Sequence, residues 1–395
     1  MPLPSPTVLK RMLANITAWI MTVHVGDNRI VGVADHLDQS IFINGNLARV
    51  LLASYKLTGN DSHLAEGLRW CDTFVGLQHR GRTHDGSSDC GWWDTGYDTL
   101  YIADTGTAVT ALALCHDLQP KRKYHDALTL FDAFVRGGVD KVPSCTPLLP
   151  NKTSCEYCEG CTDTAATYII GPAGQPDAGA LGDGYYKGAL NVKPYTISTA
   201  LTGGVMSAEL YALAQGAEHR YLATASNAVD WLLSKLFANG TIPYIIDPPT
   251  SVPHEFQCIT YTTEAFIDLH LRTGDAALAR LRALNVTVDY ILRKQAEGKS
   301  GALLPKGTQG EILRSARAAS LLHWWYVAVD PTDERLPKAL EAYLVTWLGS
   351  AAGATVEGLN SYALSTGFIG LTIADLVEPT AWASFAKWRP AAPVV

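Results

Sequence analysis

Two adjacent tryptophans and three carboxylates fall in one short stretch, WWDTGYDTLYIADTGTAVTAL, as Trp92, Trp93, Asp94, Asp98 and Asp104. Paired carboxylates can break a glycosidic bond, because one gives a proton to the leaving oxygen while the other activates water or attacks carbon. Aromatic faces beside them suit a sugar ring, whose apolar C–H surface stacks while its hydroxyls reach polar groups. Asp94 and Asp98 are four residues apart and share a face only on a helix, and Gly96 between them favours a loop. Asp104 opens a small-residue run that continues without proline to Leu118, so helix capping and chemistry weigh equally for it.

Further acids are spaced along the chain. Asp35 and Asp38 in VADHLDQS precede another such run, and Glu264 in TYTTEAF reads as a first-turn acid beside Tyr261 and Thr262. A glutamate in a capping box needs a serine or threonine three positions earlier, where this chain has Tyr261, so the capping reading is the weaker one at Glu264. The catalytic candidates are therefore Asp94, Asp98, Glu264 and Asp38. Trp92, Trp93, Asp35, Asp104 and Tyr261 are candidates for substrate binding. Lys306 and Arg314 join them as cations able to hold a uronate carboxylate or a phosphate, with Glu311 a rival salt-bridge partner for Arg314. The chain has no G-x-S-x-G elbow, no phosphate-binding G-x-x-x-x-G-K-[ST] loop and no H-E-x-x-H pair. No metal ligand set and no cofactor is assigned.

The elements that must position these residues are helices. Amphipathic segments recur twelve times, near 7–24, 36–57, 61–78, 102–118, 122–136, 196–216, 219–236, 258–274, 275–295, 309–328, 332–348 and 360–376. Every second member is rich in small residues and carries a polar-Gly step near its start: Asn44-Gly45, Thr105-Gly106, Thr202-Gly203 and Thr366-Gly367. The fourth and fifth copies have Thr263-Glu264 and Ala316-Arg317 instead. The alternate set has one charged face opposite aromatic and leucine stripes, which marks helices with one side in water. Links from the small-residue helices to the next are short, as in KLTGNDSH, and short links join antiparallel neighbours. The opposite links, at 79–101, 137–195, 237–257 and 296–308, are long and rich in Gly, Pro and aromatics. The expected fold is all-α: six inner helices wrapped by six outer ones in a single domain, 1–395, with a Cys-rich insertion at about 137–195. All elaborate loops then gather at the N-terminal ends of the inner helices, where helix dipoles face a central crater.

This pattern resembles the six-hairpin glycosidase superfamily, the (α/α)6 toroids, over nearly the whole chain, and WWDTGYDTLYIADTGTAVTAL is the stretch most similar to it. The resemblance implies glycoside hydrolysis by rim acids, or polysaccharide β-elimination by rim acids and bases. The adjacent Asp-Asp pair expected of secreted α-mannanases is absent.

Composition narrows the partners. The net charge is -7 with no basic run, which argues against nucleic acid, and no apolar run reaches the length of about 18 residues that marks a membrane span. Five of the asparagines are N-glycan acceptors: Asn15, Asn60, Asn151, Asn239 and Asn285. The N-terminal MPLPSPTVLKRML lacks the order of a secretory signal, so the expectation is a secreted chain whose signal has been removed, with a cytoplasmic enzyme as the rival. Cys145, Cys155, Cys158 and Cys161 have spacing that can ligate zinc or an iron–sulfur cluster, but beside the acceptor sites disulfides are the stronger reading. Cys71 and Cys115, on helices, read as buried thiols, and Cys90 and Cys258 as loop residues. The leading function is a secreted glycoside hydrolase acting on an oligo- or polysaccharide. The alternatives are a polysaccharide lyase, a non-catalytic sugar-binding relic, and an all-α terpene cyclase holding Mg²⁺ and a diphosphate through a divergent acid set.

Overall fold

The computed structural model describes residues 5–23, 40–78, 93, 99–136, 177–186, 189–246, 249–250, 255–297, 316–353 and 363–377. Thirteen helices occur among them. The inner set is α2 (Ser40–Thr58), α4 (Ile102–Leu118), α6 (196–213), α8 (Glu255–Thr273), α11 (Ala316–Ala328) and α13 (Ala363–Val377). The outer set is α1 (Pro6–Val23), α3 (Asp61–Leu77), α5 (Arg122–Arg136), α7 (His219–Ser234), α9 (Asp275–Arg282) with α10 (Asn285–Glu297), and α12 (Arg335–Gly353). One expected outer helix, 275–295, is thus two, broken at Ala283 and Leu284.

The inner helices close a ring. Each packs on the next in the order α2, α4, α6, α8, α11, α13, and α13 packs back on α2. The polar-Gly steps explain the tightness of the closure. A Cβ on Gly45 would strike the backbone of Thr107, one on Gly106 would strike Thr202, and one on Gly367 would strike Asn46. Gly204, beside the third step, faces Ala265 of α8 in the same way. These contacts join residues at similar depth in successive helices, so the inner helices run parallel and their N-termini share one face.

The outer helices bury a stripe and expose the rest. In α3, Leu68, Trp70, Cys71 and Phe74 are buried, while Asn60 caps the helix by accepting from the Ser62 amide at 3.1 Å. Trp231 of α7 is buried in the same manner. Cys71 and Cys115 are not the separate thiols expected from their helical positions: they form a disulfide that ties outer α3 to inner α4. Cys258 lies within α8 rather than on a loop.

Helix α6 is irregular: an α turn (Thr196–Ser198) passes into a π-helical stretch (Thr199–Met206) and back to α (Ser207–Leu213). The Thr202 carbonyl accepts from the Ser207 hydroxyl, five residues on, at 3.3 Å. A small antiparallel sheet, which the sequence pattern did not reveal, has order β1-β2-β3, with β1 at Thr99–Tyr101, β2 at Gly182–Tyr186 and β3 at Ala189–Pro194. It packs on α4 and α6, at the face where the inner helices begin. Two further short strands, β4 (Ile245–Ile246) and β5 (Pro249–Thr250), pair on the approach to α8. No helix among the described residues is long and apolar enough to cross a membrane.

Candidate active site at the mouth of the ring

The N-terminal face of the inner ring has an aromatic rim and an aromatic floor. Tyr101 and Tyr195 stand at the N-cap positions of α4 and α6, and neither helix start has a side-chain cap. Backbone N–H groups at such ends favour an electronegative partner. The Thr196 hydroxyl donates to the Pro243 carbonyl at 2.6 Å, which fixes the next loop against the start of α6. Tyr244 on that loop meets Tyr195 edge to face, with ring centroids 5.5 Å apart. All three tyrosines are half-buried, with part of each surface open to solvent. Sequence reasoning missed them. For Tyr101 and Tyr195 the signal was an aromatic immediately before a small-residue helix; Tyr244 had none.

The floor is a triangle of rings from three inner helices. Phe42 of α2, Tyr261 of α8 and Phe368 of α13 lie with centroids 5.5 to 5.8 Å apart. Helices α2 and α8 stand opposite each other in the ring, so these contacts cross its axis. Tyr261, expected to touch substrate, is only 3% exposed and belongs to this floor.

Glu264 is the largest correction. Helix α8 starts at Glu255, so Glu264 lies in its third turn and not its first, below Tyr261 and 1% exposed. Its Oε1 accepts from Nη2 of Arg49, across the ring on α2, and its Oε2 lies 3.6 Å from Nε of Arg317 on α11. Burial pushes this carboxyl up, but Arg49 and Arg317 together outweigh it and hold the group below its ordinary range. The carboxyl is thus held ionised between two guanidinium groups that reach it across the lumen. The same network continues downward. Arg317 donates to Asp375 at 2.7 Å, and the Ser320 hydroxyl donates to the same carboxylate at 2.8 Å. Burial pushes Asp375 up to about 6, against the pull of Arg317 and Ser320. Lower still, Arg272 donates to Glu209 at 2.6 Å. Burial and the neighbouring Glu209 raise Asp268 well above the usual carboxylate range. Asp117, Glu209 and Arg272 line a shallow pocket at the C-terminal ends of α4, α6 and α8, on the face away from the mouth.

Trp93 is also corrected. It is fully buried, donates its indole N–H to the Phe74 carbonyl at 2.8 Å and packs on Phe131. Its ring serves the core between α3 and α5, because a buried indole that finds a carbonyl partner is stable there. Asp104 stands in the first turn of α4, half-buried, but the N-cap is Tyr101. It is the one sequence-derived candidate that the described residues bring to the rim. Asp94, Asp98, Asp38, Asp35, Trp92, Lys306 and Arg314 lie outside the described residues. So do Glu311, Asn151, Cys90 and the four cysteines between Cys145 and Cys161. Among the described residues no group of three His, Cys, Asp or Glu could hold a metal ion.

No family model and no curated protein matches the chain. Solved structures do match along nearly its whole length. An inactive variant of the α-1,6-mannanase GH76A of Salegentibacter sp. HEL1_6, in complex with α-1,6-mannotriose, superposes with a TM-score of 0.57 at 13% identity, over 94% of this chain and 100% of that one. A polysaccharide lyase gives 0.60 at 11%, over 95% and 98%. Cellobiose 2-epimerase from Bacillus thermoamylovorans B4167 gives 0.57 at 10%, over 87% and 88%. At these identities the likeness is one of fold: the chain has the (α/α)6 toroid architecture. The mannanase variant was inactivated at two adjacent aspartates, and this chain has no Asp-Asp pair.

Proposed function

We propose that the protein is a carbohydrate-active enzyme that binds an oligo- or polysaccharide at the mouth of the ring and hydrolyses it with paired carboxylates. The observation that carries this reading is the rim of half-buried tyrosines, Tyr101, Tyr195 and Tyr244, above a cluster of aromatic rings at the N-terminal ends of parallel helices. Such a surface offers stacking faces and hydrogen-bond donors together, as a sugar requires. Structural neighbours named as an α-1,6-mannanase, a polysaccharide lyase and a cellobiose 2-epimerase support the substrate class. The acids would come from the segments that lead into α2 and α4: Asp94 or Asp98, paired with Asp38 or Asp104.

The terpene cyclase reading loses support. Beneath the floor, the described lumen is filled by Arg49, Glu264, Arg317 and Asp375, so it offers no dry apolar chamber for a carbocation. β-Elimination remains the second reading, favoured by the lyase likeness. A panel of α-mannans, β-glucans and uronate-containing polysaccharides separates the two. Hydrolysis releases reducing ends alone, whereas elimination also creates an ultraviolet-absorbing C=C bond. Inertness toward the whole panel, with no binding by calorimetry, would overturn the proposal.

A further inference from the structure

The asparagines divide by position. Asn15, Asn60, Asn239 and Asn285, each in an Asn-x-Ser/Thr acceptor sequence, are exposed, whereas Asn44 and Asn46, in no such sequence, are fully buried in the ring. None of the four exposed acceptors lies on an inner helix. Asn15 is in the middle of α1, Asn60 is the N-cap of α3, Asn239 is on the turn after α7, and Asn285 is the first residue of α10. Asn239 and Asn285 are close neighbours, because the Thr287 hydroxyl donates to the Gly240 carbonyl at 2.8 Å.

Two of these exposed side chains use their oxygen, and not their nitrogen, in the turn that holds them. Asn60 Oδ1 accepts from the Ser62 amide and hydroxyl, at 3.1 and 2.8 Å. Asn239 Oδ1 accepts from the Thr241 amide and hydroxyl, at 3.0 and 2.8 Å. A group attached at Nδ2 would keep those bonds, and at Asn60 it would give up only the contact of Nδ2 with His63 Nε2 at 3.2 Å. A second observation is independent of the sequons. The Cys71–Cys115 disulfide is buried without exposure in the core, and disulfides form and persist in oxidising compartments.

From these we infer that Asn60, Asn239 and Asn285 carry N-linked glycans, Asn60 on the face away from the mouth, Asn285 on the outer layer, and Asn239 on the link that leads to Tyr244 at the rim. The co-reactant is a lipid-diphosphate-linked oligosaccharide. Nδ2 attacks the anomeric carbon, a C–N bond forms, the C–O bond to the diphosphate breaks, the lipid diphosphate leaves, and the amide gives one proton to a base. No oxidation state changes.

The test uses the native protein from its source. Peptide N-glycosidase in isotope-labelled water converts each glycosylated asparagine to labelled aspartate, which peptide mass spectrometry locates. Label at Asn60, Asn239 and Asn285, with none at Asn44 or Asn46, is the expected result; unmodified asparagine at all three overturns the inference. The variants N60D and N239D keep an oxygen acceptor at each turn. Each is expected to lose one glycan's mobility step with an unchanged melting temperature, and unchanged mobility would count against that site.

Discussion

Replacing Glu264 by glutamine tests the lumen against the mouth. The substitution keeps the shape and one acceptor oxygen but removes a charge buried between Arg49 and Arg317. Removing one partner of a buried ion pair costs roughly 3–5 kcal/mol, because the other charge stays buried. Here Arg317 keeps the Asp375 carboxylate at 2.7 Å, so the loss falls mainly on Arg49 and the lower end, about 3 kcal/mol, applies. At about 2.1 cal/mol/K per residue, a chain of 395 residues has an unfolding entropy of about 0.8 kcal/mol/K, so E264Q should melt about 4 °C lower. Differential scanning calorimetry reads the shift, and turnover well below the melting range should remain near that of the native protein. A wild-type melting temperature with turnover abolished would refute the reasoning and return Glu264 to the catalytic acids.

Three further outcomes are expected. Closing a loop of 44 residues constrains the unfolded chain by about 4 kcal/mol in the chain-entropy account, so C71A/C115A should melt about 5 °C lower, and denaturant titration should give a matching loss. His323 is buried with both ring nitrogens unpartnered, and burial lowers it to about 4. Because its folded value lies below its unfolded value near 6.5, it contributes a loss of stability as pH falls from about 6.5 to about 4, worth about 2 kcal/mol at pH near 5. The variant H323F should remove that share, and an unchanged difference in melting temperature between pH near 5 and pH near 7.5 would contradict it. Asp375 acts in the opposite sense, since its raised value makes stability fall as pH rises from about 4 to about 6, so the comparison must be made against the native chain at both pH values. Finally, Y195A should raise KM several-fold with little change in kcat, as stacking faces are worth about 0.5–1.5 kcal/mol; an unchanged KM would remove Tyr195 from the rim.

The ring was legible because closure demands small residues at fixed places. Gly45, Gly106 and Gly367 meet Thr107, Thr202 and Asn46, and those are the steps that recur in the sequence. The two copies that break the pattern were legible as exceptions but not as a site: Glu264 and Arg317 stand there because they meet each other in the lumen. Arg49 was overlooked, although a lone arginine within IFINGNLARVLLASY was a signal that its helix buries a charge. Partners across a ring have no sequence spacing to betray them. The same holds for the disulfide, since Cys71 and Cys115 each sit on an ordinary helical stripe and only the packing of α3 on α4 brings them together. Trp93 misled because a tryptophan beside acids reads as a sugar platform, whereas its position between α3 and α5 is set by a carbonyl one helix away. Of the site itself, sequence spacing identified Asp104 at the rim but not Tyr101 and Tyr195, whose common position appears only once the helix starts are aligned, nor Tyr244, which reaches the rim by packing on Tyr195.

The central claim is that carboxylates at the mouth, and not those in the lumen, carry the chemistry. It is tested most directly by measuring kcat/KM for D94N, D98N and D38N on the glycan the panel identifies, each beside its own melting temperature. The account predicts that at least one of D94N and D98N loses about 10²–10⁴-fold in kcat/KM while melting as the native protein does. Full activity in all three variants would contradict it.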